Sequence, residues 1–175
     1  MQDRVEKAKN IRLLILDVDG VLTDAKLFFD EQGREYKAFN ARDGLGIKLL
    51  QKSGIQVAVI SGRASKPVAL RMQMLGIDLV YLGQTDKGEA FKEIIAKAGC
   101  TPDQVAHVGD DLIDLPVLIQ VGLAIAVQDA SELILPYVDW QTCLPGGQGA
   151  VREVCDFILQ AQGKMDAIVE SFKKI

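Results

Sequence analysis

Ile11-Arg12-Leu13-Leu14-Ile15-Leu16-Asp17-Val18-Asp19-Gly20-Val21-Leu22-Thr23 is the stretch that decides how this chain is read. An apolar run ending in acids reads as a buried parallel strand, residues 13–17, whose carboxyl end opens into an active-site loop. Asp17 and Asp19 stand at i and i+2, so on extended backbone both carboxylates start from one face. Gly20 lets the chain turn sharply and leaves backbone N–H groups free to meet an anion. One carboxylate can attack while the other moves protons, which suits two-step phosphoryl transfer through an aspartyl phosphate. Asp and Gly are also ordinary turn residues, so the segment needs companions elsewhere. A calcium loop of the EF-hand kind does not fit: it wants glycine at position six, and Gly20 falls at four.

Outward from this strand, short apolar runs alternate with longer amphipathic stretches, the pattern of a βα-repeating domain with a parallel sheet. Strands are predicted at 13–17, 57–61, 79–82, 105–108, 123–127 and 137–139. Helical spacing is found at 45–53, 67–75, 87–97, 114–120, 150–162 and 164–175. Pro67 suits a first helical turn, and Gly54, Gly76, Gly99 and Gly163 suit helix ends. Residues 26–39 break the alternation and read as a hairpin carrying Phe28, Phe29, Tyr36 and Phe39. A lone two-stranded hairpin is marginal in water, so those rings need the parent domain or another subunit. No linker, repeat or low-complexity tract interrupts the chain, and one domain over 1–175 is expected, with a flap at about 26–39 and a tail at about 163–175.

The chain has 175 residues, 49% hydrophobic and 25% charged, enough for one domain with a real core. A net charge of −4 argues against a nucleic-acid footprint and requires any anionic substrate to be met by locally placed Lys and Arg. Cys100, Cys143 and Cys155 show no zinc spacing and read as free thiols of a reducing cytosol. The charged N-terminus lacks the apolar stretch of a signal peptide, and no run is long enough to span a membrane. A cytoplasmic protein is expected.

Three further segments fall on the same edge as Asp17. Ser61, in Val59-Ile60-Ser61-Gly62-Arg63, can donate a hydrogen bond to a phosphoryl oxygen. Lys87, in Thr85-Asp86-Lys87-Gly88, opens a helix and can pair with phosphate there. Val108-Gly109-Asp110-Asp111-Leu112-Ile113-Asp114 gathers three acids that repel one another unless a cation is near. Carboxylate oxygens suit Mg²⁺, although Asp110 or Asp111 can equally cap a helix. Gly44-Leu45-Gly46 and Gly147-Gln148-Gly149 do not complete a dinucleotide loop. His107, the sole histidine, sits inside a predicted buried strand and reads as a packed structural residue.

Nucleophile pair, hydroxyl, lysine and acid cluster, in that order, resemble the haloacid dehalogenase superfamily of aspartate-nucleophile phosphatases. The resemblance implies a Rossmann-like, doubly wound parallel α/β sheet. The gaps between motifs are too short for a lid, so the chain is similar to the capless members. Ala38-Phe39-Asn40-Ala41-Arg42-Asp43-Gly44, Gly109–Pro116 and Gly146-Gly147-Gln148-Gly149-Ala150-Val151-Arg152-Glu153 narrow it to the family of 3-deoxy-D-manno-octulosonate 8-phosphate phosphatases. That resemblance implies Asp17 as nucleophile and Asp19 as the acid that protonates the leaving sugar oxygen and later deprotonates water. It implies Mg²⁺ on the Asp17 carboxylate, the Asp19 carbonyl and Asp110, with Asp111 and Asp114 supporting. Ser61 and Lys87 would hold the phosphoryl oxygens, and Arg63 and Arg152 are candidates for the sugar carboxylate. It further implies a homotetramer built through the hairpins and a product used in lipopolysaccharide synthesis. The Arg63-Ala64-Ser65-Lys66 stretch varies among relatives, which leaves a related nine-carbon keto sugar acid phosphate or another small phosphomonoester as the alternative substrate. A receiver-type signalling domain is the competing class; it keeps its phosphate and has no need of Asp19.

Overall fold

A computed structural model describes residues 2–173. The chain runs α1 (Gln2–Lys9), β1 (Leu13–Leu16), β2 (Phe28–Phe29), β3 (Glu35–Tyr36), α2 (Ala41–Lys52), β4 (Gln56–Ser61), α3 (Lys66–Leu75), β5 (Leu79–Leu82) and α4 (Lys87–Ala98). It continues through β6 (Val105–Gly109), α5 (Leu115–Leu118), β7 (Leu123–Ala126), β8 (Trp140–Gln141), α6 (Ala150–Ala161) and α7 (Met165–Lys173). Six strands form one parallel sheet in the order β5-β4-β1-β6-β7-β8, and β2 and β3 pair antiparallel by themselves.

The apolar run that opens the chain becomes the central strand, because every residue of it is buried on both faces. Leu14 and Leu16 pack with α2, α3 and α6 side chains such as Leu50, Met72 and Val154, while Leu13 and Ile15 pack with Phe91 and Ile94 of α4. β4 and β6 flank β1 in register, Leu14 facing Val57 on one side and Ala106 on the other. Chain order reverses at β1: β4 and β5 lie to one side, β6 to β8 to the other. Open parallel sheets place their sites at the carboxyl edge of such a switch point.

Several boundaries differ from the sequence reading. α1 was not expected, since its eight residues are mostly polar. It is held by tertiary contacts: Arg4 lies 5.3 Å over Trp140 and 5.5 Å over Phe157, and Lys7 pairs with Asp139 at 2.5 Å. α2 begins at Ala41 and not at 45, because the Asn40 side chain accepts the Arg42 N–H and starts the helix early. The strand expected at 137–139 forms three residues later, as β8. Tyr137 ends a 3₁₀ segment, Glu132–Tyr137, that contains Pro136, and proline cannot donate to a ladder. The helix expected over 114–120 shrinks to the single turn α5, preceded by a 3₁₀ turn at Leu112–Asp114. Gly76 and Gly99 do cap α3 and α4 in the left-handed conformation, whereas Ser53 takes the cap of α2. Residues 174 and 175 of the expected terminal helix lie outside the described residues.

Candidate active site

Alternation along β1 decides where Asp17 points. Leu13 and Ile15 face α4, and Asp17 keeps their parity, its N–H continuing the ladder by donating to the Val108 carbonyl at 3.1 Å. Lys87 opens α4 and so meets Asp17 directly. Its Nζ lies 2.8 Å from Asp17 Oδ1 and 2.7 Å from Asp114 Oδ1, and its side chain is wholly buried. Asp86 caps the same helix by accepting the Gly88 N–H at 2.9 Å, which fixes the start of α4 and with it the lysine.

Asp114 is the hub behind the front row. Its Oδ1 accepts from Lys87 and lies 3.0 Å from His107 Nε2; its Oδ2 accepts the Asp110 N–H at 3.0 Å. Burial alone would raise the Asp114 pKa, but His107 and Lys87 outweigh it and hold the carboxyl well below the usual carboxylate range. Asp114 is thus held from the lysine, the histidine and the loop, and it serves as the anchor for the loop that carries Asp110. Asp111 is exposed and caps the 3₁₀ turn, accepting the Leu112 N–H at 2.7 Å.

Asp17 and Asp110 are left in front. Burial, then the neighbouring Asp114, raises Asp17 above its ordinary value. Asp110 is pushed up to about 8 by burial and by Asp17 and Asp114 together. For Lys87 burial works against the charge, and Asp17 and Asp114 overcome it, raising the ammonium's pKa. Asp17, Asp110 and Asp114 offer oxygens within 4.8 Å of one another. Such a group of hard oxygen donors is short of positive charge and suits a small divalent cation. Gly20 is required beside it: at φ +97°, a Cβ there would overlap Asp110 Oδ2.

The cleft in front holds about 220 Å³ and is lined by Asp17, Asp19, Ser61, Gly62, Arg63, Lys87, Asp110, Asp111 and Ile113. Ser61 ends β4; its Oγ accepts the Arg63 N–H at 3.3 Å, which leaves its own O–H to donate. From the far end of the chain, Gly147 donates its N–H to the Val21 carbonyl at 2.9 Å. A Cβ on Gly146 would overlap the Gly20 carbonyl, so only glycine lets this loop lie against the backbone that carries Asp19.

Comparison with known proteins agrees with this fold. The family of haloacid dehalogenase-like hydrolases matches residues 77–149. The 3-deoxy-D-manno-octulosonate 8-phosphate phosphatase of Yersinia pestis is 53% identical over 164 residues, spanning 94% of this chain and 88% of that protein. The chain belongs to that family. The crystal structure of a Yersinia pestis phosphatase of this family superposes with a TM-score of 0.92 at 53% identity, covering 94% of this chain and 89% of that one. A Moraxella catarrhalis phosphatase of the same family, solved with magnesium, phosphate and its sugar acid, gives a TM-score of 0.96 at 41% identity, covering 98% and 99%.

Within this haloacid dehalogenase-like hydrolase, the fold brings Asp17, Asp19, Ser61, Arg63, Lys87, Asp110 and Asp111 to one cleft, with Asp114 directly behind. Arg152 is not there. It stands on α6 with its Nε 2.7 and 2.8 Å from the two carboxylate oxygens of Asp156, and it does not line the cleft. The resemblance placed it on the substrate; local i, i+4 pairing holds it elsewhere.

Sequence reading passed over three acids and bases of this phosphatase family member. Lys37 and Glu35 come from the hairpin to residues that line the cleft, Lys37 bonding Asp19 and Glu35 bonding Arg63, and their i, i+2 spacing in the predicted hairpin was the available signal. Asp43, in the first turn of α2, is buried and caps α6 from outside it, Oδ1 accepting the Arg152 N–H at 2.8 Å. Burial raises its pKa despite that bond. Its Oδ2 has no partner among the described residues. A cap supplied across more than a hundred residues leaves no local mark in a sequence.

Proposed function

We propose that this chain is a Mg²⁺-dependent phosphatase that hydrolyses 3-deoxy-D-manno-octulosonate 8-phosphate in lipopolysaccharide biosynthesis. The observation that carries the reading is the Asp17–Lys87–Asp114 ion triad with Asp110 beside it, in a chain 53% identical to a phosphatase of that name.

Asp17 Oδ attacks phosphorus, and the bond from phosphorus to the sugar oxygen breaks with its electron pair leaving on that oxygen. Asp19 delivers a proton to it, so the sugar departs as an alcohol and not as an alkoxide. Asp19, now a carboxylate, takes a proton from water as that water attacks the aspartyl phosphate, and Asp17 is released with inorganic phosphate. Lys87 orients Asp17, and with the Ser61 hydroxyl it supplies donors to the equatorial phosphoryl oxygens. Asp17, the Asp19 carbonyl and Asp110 would hold Mg²⁺, with Asp114 and Asp111 fixing the loop behind them. The cation, when bound, offsets the repulsion between an anionic nucleophile and an anionic phosphate. Arg63, at the cleft rim, is the remaining guanidinium for the sugar carboxylate.

The chain acts as a single domain over residues 1–175, in the cytoplasm, as a homotetramer joined through the hairpins. In support, Phe28, Phe29 and Tyr36 are each half exposed, an uncovered aromatic face unusual for a monomer. Among the described residues, no helix is long and apolar enough to cross a membrane.

Phosphate release from a panel of sugar phosphates with Mg²⁺ tests the reading, with Asp17→Asn as control. Preference for 3-deoxy-D-manno-octulosonate 8-phosphate, absent in the variant, is expected. Preference for a nine-carbon keto sugar acid phosphate would keep the chemistry and move the substrate. Stable phosphorylation of Asp17 without turnover would overturn both.

A further inference from the structure

Lys37 is the one hairpin residue whose charge is fully enclosed. Its side chain is 1% exposed although its neighbours on the hairpin are largely open to solvent. The ammonium hydrogen-bonds Asp19 Oδ1 and lies 3.3 Å from Glu35 Oε1. Glu35 is itself divided among three partners, since Arg63 Nη2 reaches Oε1 at 3.0 Å and the Ser65 hydroxyl donates to Oε2 at 2.5 Å. Burial alone would raise Glu35, but Ser65, Lys37 and Arg63 prevail and hold it below its ordinary value, so the middle of the chain is a carboxylate. The result is a continuous polar bridge, Asp19–Lys37–Glu35–Arg63, from the floor of the cleft through the hairpin to its rim.

We propose that Lys37 is a positioning residue for proton transfer by Asp19, and that Glu35 fixes Lys37 and Arg63 together. The inference rests on the phosphatase reading above. Asp19 sits on a loop beyond the end of β1, outside the sheet ladder, and without a partner its carboxylate would rotate freely. Lys37 engages Oδ1, and the carboxyl still lines the cleft, where Oδ2 remains for the leaving oxygen. Lys37 cannot serve the substrate itself, because it is enclosed and its contacts are with Asp19 and Glu35. β2 and β3, which end just before it, have no ladder to the main sheet, so this bridge ties the hairpin to the chemistry.

Leaving-group dependence separates positioning from general structural damage. A sugar alkoxide must be protonated as it leaves; p-nitrophenolate need not be. kcat/KM covers only the steps through leaving-group departure, so it isolates the acid role of Asp19 from its later role toward water. With Mg²⁺, Lys37→Met is expected to lower kcat/KM on 3-deoxy-D-manno-octulosonate 8-phosphate by roughly 10²-fold, within the usual worth of a general acid. On p-nitrophenyl phosphate the loss should stay under about tenfold. Lys37→Gln, smaller and polar, repeats the measurement should the methionine variant melt early. Equal losses on both substrates in a folded variant would overturn the inference and leave the phosphatase reading intact. A wild-type chain that hydrolyses neither substrate would remove that reading, and this one with it.

Discussion

The carboxyl edge of β1 and the β2–β3 hairpin meet at Asp19, yet they are held by opposite means. At the sheet edge Asp17, Lys87 and Asp114 are no more than 5% exposed, and each is locked by at least one other charged group. In the hairpin Phe28, Phe29 and Tyr36 are 50%, 57% and 53% exposed, and only two residue pairs form the ladder. The edge owes its geometry to the core beneath it. The hairpin depends on a few polar contacts and on whatever covers its rings. The Asp17–Lys87–Asp114 group is therefore fixed by the core, while Asp19 is bonded to a hairpin that the core does not cover.

The sharpest way to test that division is Asp17→Asn, which removes the nucleophile without changing its shape. Turnover should fall on the order of 10⁴-fold or more in single-turnover phosphate release, with the melting transition retained. Substantial residual turnover would mean that the chemistry does not run through the sheet edge.

Lys87→Met comes next. It strips the ammonium from two buried carboxylates, and breaking a buried pair in this way costs about 3–5 kcal/mol. Urea denaturation should show the loss as a lower midpoint at unchanged slope. A loss under about 1 kcal/mol, the range of surface ion pairs, would show that the triad is not needed to hold the edge.

Metal removal and pH probe the same edge more gently. Asp110 stands at about 8 in the folded protein against an ordinary 3.8. A raised acid favours folding while protonated, so its contribution is complete below pH 3.8 and is lost as pH rises through about 8. Chelated protein should therefore lose stability from this group across that window. Mg²⁺ needs the deprotonated carboxylate, so its binding should strengthen with pH over the same range. The rise in melting temperature on adding Mg²⁺ should be larger at about pH 8.5 than at about pH 6.5. The reverse order would remove Asp110 from the cation site.

Phe29→Ser should have the smallest effect on the single chain, under about 0.5 kcal/mol, because a half-exposed ring on a two-residue strand buries little area. Sedimentation should nonetheless show weaker assembly. An unchanged sedimentation coefficient together with a large drop in stability would place the ring in this chain's own core.

What the sequence made legible follows the same division. Leu13 to Leu16 announced the central strand because a run buried on both faces has to be apolar throughout, and the acids after it announced the site. Ser61, Lys87 and Asp110 stood out because they end a strand, open a helix and follow a strand. α1 escaped notice because its hold on Trp140, Phe157 and Asp139 joins distant residues and asks for no apolar stripe. Lys37 escaped because a lysine in an exposed hairpin looks like any solvated charge until its partners are known. Arg152 shows the converse: a guanidinium fork matches a carboxylate, but the chain places it on α6 beside Asp156 and outside the cleft lining.

The fit of Gly146 against the Gly20 carbonyl also bears on the order in which the enzyme can come to life. Asp17 and Asp19 leave the ribosome early, but the loop between Gly20 and Asp24 is closed by residues on the order of a hundred positions later, and domains fold as their parts emerge. A nascent chain that already displays both aspartates would still have an open loop beneath the leaving oxygen. Phosphatase activity should therefore appear late in synthesis, as the glycines that seal that loop emerge.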